Sequence, residues 1–168
     1  QDFLRRRYDS IFLSSMVFNR LGYNYLSYNN MFNVDDDSFL AAMISEAKPY
    51  FFAKCMLPDV DDYRIFGFTK FTDLDGNVYD EMDFAIGNER YFWKDIILKN
   101  DLLFSSENDL KELYITPGPA ITCPSRLGVW IGYQILQSYY RNNQELSLNE
   151  IMLEIDYQKI LNQSNYQP

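Results

Sequence analysis

Gly128 and Gly132 stand four residues apart in Leu127-Gly128-Val129-Trp130-Ile131-Gly132-Tyr133-Gln134, and this spacing constrains the fold more than any other feature of the chain. Four residues is close to one helical turn, so both glycines fall on one face of a helix and let another backbone approach closely. Trp130, Tyr133, Ile135, Leu136 and Tyr139 surround that contact with apolar surface, and together they predict a deeply packed helix. Pro124-Ser125-Arg126 leads into it. Ser125 is placed to cap the helix that Arg126 opens, because a serine hydroxyl accepts from the free N–H groups of a first turn. The segment serves packing and carries no catalytic chemistry.

A helix of that kind needs a core to enter. The chain has 168 residues, 47% hydrophobic and 17% aromatic, with 14 Tyr and 13 Phe. That is enough apolar surface for one folded domain over residues 1–168 and too much for a disordered chain. The net charge of −9 argues against nucleic acid as a partner, since phosphate binding needs a basic stripe. Arg5-Arg6-Arg7 is the single basic run, and it reads as a solvated first turn. No run of 18 apolar residues is present, so no spanning helix is expected. The chain opens Gln1-Asp2-Phe3 without a methionine, which is read as a leader or tether lying outside it. Cys55 and Cys123 allow either a disulfide in an oxidising compartment or two free thiols.

The remaining pattern is mostly helical. Ile11, Phe12, Met16, Val17 and Leu21 predict a buried helix from Ser10 to Leu21, stopped by Gly22. Asn24 to Asp37 reads as a Tyr- and Asn-rich loop. A second helix is expected from Phe39 to Cys55 behind Asp36, Asp37 or Ser38 as N-cap, with a kink or restart at Pro49 and an end at Pro58. Residues 64–79 change to β-prone runs around Asp75-Gly76, a hairpin signal. Glu81 to Asn100 returns to helix, with an interruption expected at Gly87-Asn88. Ser106 with Asp109, and Ser147 with Glu150, resemble capping boxes.

The chemistry is defined by what is missing. The chain contains no histidine, which removes the usual general base, the commonest zinc ligand and every HExxH site. Two cysteines are too few for a thiolate zinc site. Carboxylates are left. Asp35, Asp36 and Asp37, or Asp59, Asp61 and Asp62, offer oxygen ligands to a hard cation, but acidic runs of this kind read first as solvated loops. Asp73, Asp75, Asn77 and Glu81 are spaced too tightly for an EF-hand loop, and a turn is preferred. A glycosidase-like carboxylate pair meets in space, and nothing in the sequence selects one. Glu46 is the single acid inside a mostly apolar helical run, where it must be paired, hydrogen-bonded or exposed. An arginine salt bridge or an exposed helical edge would account for it.

Several segments, in their order, resemble the gliding-motility lipoprotein family GldB of Bacteroidota, whose wider relatives look like zinc peptidases of the zincin type. Phe12 to Phe18 with Arg20-Leu21-Gly22-Tyr23, and Met43-Ile44-Ser45-Glu46-Ala47-Lys48 with Met56-Leu57-Pro58, follow the family's pattern. Asn88-Glu89 with Trp93 and Leu102 to Ser106 continue the order. Pro124 to Gln134 and the closing stretch from Asp156 to Pro168 are the most specific parts. Ala47 replaces the family's usual glycine, and the segment between Gly22 and Phe39 is shorter than in the family.

The resemblance implies a mainly α, zincin-like helical domain with a small β-hairpin near residues 64–79. Glu46 matches the acid that is the third metal ligand in the active zincin relatives, whereas Ser14 to Phe18, at the position of HExxH, holds neither His nor acid. A lone glutamate does not hold a catalytic zinc, which takes about three protein ligands. The resemblance therefore implies a pseudoenzyme without metal or cofactor. It also implies an outer-membrane lipoprotein, tethered by a lipid on a cysteine N-terminal to this chain, that binds other outer-membrane or periplasmic proteins in a gliding or related envelope complex. Tyr23, Tyr25 and Tyr28 are the candidate interaction residues, since tyrosine anchors interfaces well. The rival readings are a divergent hydrolase or metallopeptidase using carboxylates, and a calcium-stabilised binding module.

Overall fold

The computed structural model describes residues 9–32, 35–116, 124 and 126–168. After a 3₁₀ turn (Ser10–Phe12) come α1 (Leu13–Tyr28), α2 (Phe39–Met56), a short α3 (Asp62–Phe66), strands β1 (Lys70–Thr72) and β2 (Val78–Asp80), and α4 (Glu81–Tyr91). α4 runs on as a π-helical stretch (Phe92–Leu98); a 3₁₀ turn (Leu102–Phe104), α5 (Asn108–Tyr114), α6 (Leu127–Asn142), α7 (Leu148–Leu153) and α8 (Tyr157–Ser164) complete the order. The fold is mainly α, as the sequence predicts, with one antiparallel strand pair in the register Lys70↔Asp80, Phe71↔Tyr79 and Thr72↔Val78.

α2 is the central element. It packs against α1 and α6, and α8 covers α6 in turn. Its buried side chains, from Phe39 and Leu40 through Ile44 to Phe51 and Ala53, point in all directions, the signature of a helix surrounded by other elements. α6 is equally buried, and its glycines explain why. A methyl group on Gly132 would lie 2.1 Å from the Met43 carbonyl oxygen, so α6 and α2 meet backbone to backbone. Gly128 faces Ile115 and the Tyr114 carbonyl, with 2.8 Å available to a Cβ. The packed helix expected from this spacing is observed, opening at Leu127 with Arg126 as its N-cap residue. Ser125, the expected cap, lies outside the described residues.

Gly22 behaves differently from the expectation. α1 does not stop there but continues to Tyr28, because Gly22 is the point of contact with α2: its missing Cβ would sit 3.1 Å from both Pro49 Cα and Phe52. Tertiary packing therefore uses this glycine for closeness, not for a left-handed turn. α2 likewise runs unbroken through Pro49 instead of restarting. The lost hydrogen bond of an interior proline costs about 3 kcal/mol in an exposed helix, and here the buried Pro49 is held between α1 and the core.

The other caps are mixed. Ser38 Oγ accepts from Ala41 N at 3.1 Å, selecting one of the three expected caps of α2. Ser147 and Glu150 form a full capping box on α7. Ser106 and Asp109 do not form one: α5 begins at Asn108 with Glu107 in the N-cap position and no side-chain cap. Ile65 and Phe66, expected in the hairpin, belong to α3, which ends at Gly67 with φ +62°. No break occurs at Gly87-Asn88.

The hairpin turn is built by Asp73. Its carboxylate accepts from the backbone N–H of Asp75 and Asn77 and from the Asn77 side chain, and Gly76 supplies φ +85°. These bonds, with the Asn77 side chain foremost, hold the Asp73 carboxyl below its usual range.

Candidate functional site

α1 turns one row of apolar residues outward, while Leu26, Phe18 and Tyr25 pack on the core. Leu13 is 61% exposed, Val17 50%, Leu21 49% and Tyr28 88%, whereas Ser15, Gly22 and Leu26 are buried. Val17 and Leu21 were expected in the core, and the close approach to α2 reverses them. At the point where α1 comes within 3.1 Å of Pro49 Cα only a glycine fits, and the row of Leu13, Val17 and Leu21 lies away from that contact. Leu13, Val17 and Leu21 recur every four residues, which aligns them in one stripe. The line Ser15, Asn19, Gly22 and Leu26 at helical spacing was the sequence signal that could have shown which face is inside; Asn19 itself donates to the Ile65 carbonyl at 2.8 Å.

The three candidate tyrosines lie on this helix and not in a loop. Tyr25 and Tyr28, three residues apart, share a side of α1; Tyr23 points elsewhere. Tyr23 stacks on Phe32 with ring centroids 4.8 Å apart, under the Arg20 guanidinium at 5.5 Å. The Tyr25 hydroxyl donates to the Asn149 side chain on α7. Tyr28 alone stands free of the body of the protein.

Glu46 lies on α2 at a cleft of about 300 Å³ lined by Met31, Phe32, Asp36, Asp37, Ser38, Ala41, Ala42, Ser45, Lys111, Ile115 and Tyr157. Burial pushes its carboxyl pKa upward. The arginine salt bridge suggested by the sequence is not formed: the two ion pairs seen among the described residues are Lys54–Asp62 and Lys159–Glu154. Lys111 reaches the same cleft and donates to the Asp37 carbonyl. A carboxyl with apolar walls on several sides and no partner among the described residues is suited to meeting a polar or cationic group from outside.

The residues that would hold zinc in a zincin are not present. Ser14, Ser15 and Met16 on α1 offer no nitrogen, thiolate or carboxylate donor, and no cluster of three His, Cys, Asp or Glu converges among the described residues. Histidine-bound zinc does not fit this chain, and no chemistry is derived through it.

Several of the other candidate acids have structural places. Asp62 accepts from Tyr133 Oη at 3.0 Å, and Asp36 accepts from Ser38 N at 3.0 Å. Glu81, buried, accepts from Thr69 N at 2.6 Å and braces the base of the hairpin. Cys55 is a half-buried free thiol with its pKa pushed up to about 11 by burial, and Cys123 lies outside the described residues. The Arg5-Arg6-Arg7 run also lies outside them.

A central helix clasped by α1 and α6, a minimal hairpin and an outward apolar stripe define a mainly helical protein. The chain belongs to a family of gliding-motility lipoproteins: the model of the family described as gliding motility protein GldB matches residues 1–168. That membership gives the protein a role in gliding motility and places it at the cell envelope. The family is defined by motility and not by a catalysed reaction. No helix among the described residues is long and apolar enough to cross a membrane. No curated protein and no solved structure matches the chain.

Proposed function

We propose that the protein is a non-catalytic, outer-membrane-associated domain that binds other envelope proteins in a complex of gliding motility or secretion. A lipid anchor N-terminal to this chain holds it at the membrane, and it works without cofactor or nucleic acid. The observation that carries this reading is the outward stripe Leu13, Val17, Leu21 and Tyr28 on α1. Contiguous exposed apolar surface rimmed by polar residues marks interaction sites. Tyr28 supplies an aromatic anchor of the kind that dominates interfaces, with Tyr25 on the same side of α1 and Tyr23 at a separate position on that helix. Net charge of −9 disfavours nucleic acid in the same role.

The test is a chromosomal Val17→Ser/Leu21→Ser replacement in a gliding strain, with a photocrosslinker placed at position 13. Both side chains are exposed, so stability should change by no more than about 0.5 kcal/mol per site. Loss of gliding, together with loss of a discrete crosslink to an envelope protein and unchanged protein level, is the expected result. Full gliding in the double variant would overturn the reading. Glu46→Gln provides the rival arm, because a half-buried carboxyl with a raised pKa is also what a carboxylate hydrolase would use. Glu46→Gln should leave gliding intact; motility lost in it alone would favour the hydrolase.

A further inference from the structure

Arg126 is the most unusual charged residue in the core. It is 5% exposed, and its backbone adopts φ +69°, a left-handed conformation that non-glycine residues rarely hold. Its Nη1 donates to Tyr50 Oη at 2.8 Å, and the guanidinium lies 5.6 Å from the Tyr50 ring and 5.2 Å from the Phe68 ring. Nε and Nη2 are buried with no hydrogen-bond partner among the described residues. The carboxylates around this aromatic cluster already have partners: Glu89 accepts from Trp130 Nε1 and Tyr166 Oη, Asp62 accepts from Tyr133 and pairs with Lys54, and the buried Glu81 accepts from Thr69 N. Two buried guanidinium nitrogens without partners are costly, and the Tyr50 hydroxyl and the two aromatic faces offset only part of that cost.

The idle pair is chemically specific. Nε–H and the Nη2 amine form the side edge of the guanidinium, where two parallel N–H bonds match the two oxygens of one carboxylate. Arg126 also precedes the first turn of the sixteen-residue α6 without capping it by its side chain, so the positive end of that helix adds to the local potential. The aromatic surroundings favour a monoanion over a phosphate dianion, because the cost of desolvating an ion rises steeply with its charge.

We propose that the Nε–Nη2 edge of Arg126 is a buried carboxylate-binding site, filled by a ligand that brings its own carboxylate. The site stands apart from the α1 stripe and does not rest on the proposed function. The carboxylate comes either from a small free acid or from the end of a polypeptide chain.

The experiment follows the Arg126 Nε–H signal by NMR and the melting temperature of the whole chain at constant pH and ionic strength. Acetate is titrated in one arm, and a neutral tripeptide with a free C-terminus, beside its amidated form, in another; inorganic phosphate is the third. Arg126→Lys assigns the signal by its loss while keeping the charge. Saturable movement of the signal with a carboxylate, accompanied by a rise in melting temperature, is expected. Arg126→Lys should bind roughly ten- to a hundredfold more weakly, the effect of losing a charge-assisted fork. Acetate alone acting identifies a small acid; the free tripeptide acting above its amide identifies a chain end. A signal and melting temperature indifferent to both carboxylates would show that the edge is served by water and would overturn the site. A response confined to phosphate, or one unchanged in Arg126→Lys, overturns it equally.

Discussion

Gly132 has no space for a methyl group. A Cβ there would meet the Met43 backbone at 2.1 Å, and a backbone carbonyl inside a central helix does not swing aside. Alanine is favoured over glycine by about 1 kcal/mol in an exposed helix, but overpacking a closed core costs more than that. Gly132→Ala is expected to lose about 3 kcal/mol or more in urea unfolding, well beyond Gly128→Ala, whose nearest obstacle is the movable Ile115 side chain. Wild-type stability in Gly132→Ala would contradict the backbone contact. This pair was legible because four-residue glycine spacing inside an apolar run has one good explanation. Gly22 misled because a glycine after Arg20-Leu21 has two: a stop, or a place of contact. Arg126 left no trace of its burial in the sequence, since an arginine next to a helix start is ordinarily a surface residue.

Capping shows how element boundaries divide into readable and unreadable ones. In α7 the Glu150 carboxylate accepts from Ser147 N at 2.8 Å, and Ser147 Oγ in return accepts from Glu150 N at 3.3 Å. Asp109 is one methylene shorter than the glutamate a capping box asks for, and α5 begins elsewhere. Ser147→Ala is expected to lower stability by about 1 kcal/mol, whereas Ser106→Ala should leave it unchanged within roughly 0.5 kcal/mol. Equal losses in denaturant titrations would refute the distinction. α1 illustrates the opposite case. Its helical period was readable through Leu21, but which face turns inward depends on how closely α2 approaches, and that is a property of two elements together. The candidate tyrosines were displaced for the same reason: once Gly22 stops being an end, Tyr23, Tyr25 and Tyr28 become helical.

Across the whole molecule, Lys48 ties the central helix to the end of α7. Its Nζ donates to the carbonyls of Met152 at 2.9 Å and Glu154 at 2.5 Å and lies 5.5 Å from the Tyr157 ring. Burial lowers its pKa to about 8, with Glu154 acting in the opposite direction. Above that value the folded protein releases a proton that the unfolded chain still holds, so this residue makes stability rise with pH. Between roughly pH 8 and 10 the gain over a Lys48→Met variant should reach about 2 kcal/mol. Above that range Tyr157, raised to about 12 by burial, works in the other direction in both chains. Parallel stability profiles for wild type and Lys48→Met would refute a lysine held near neutrality.

The sequence by itself determined the helical class, the glycine-packed α6, the cap of α7, the Asp-Gly turn and the absence of histidine chemistry. Each is local, set by residues within a turn or two of one another or by composition. Tertiary structure alone decided that α1 shows a row of apolar residues outward, and that, among the described residues, Glu46 opens on a cleft without a partner and Arg126 is buried with two of its three guanidinium nitrogens unpaired. Those depend on the distance between helices, and that distance follows from packing many side chains at once.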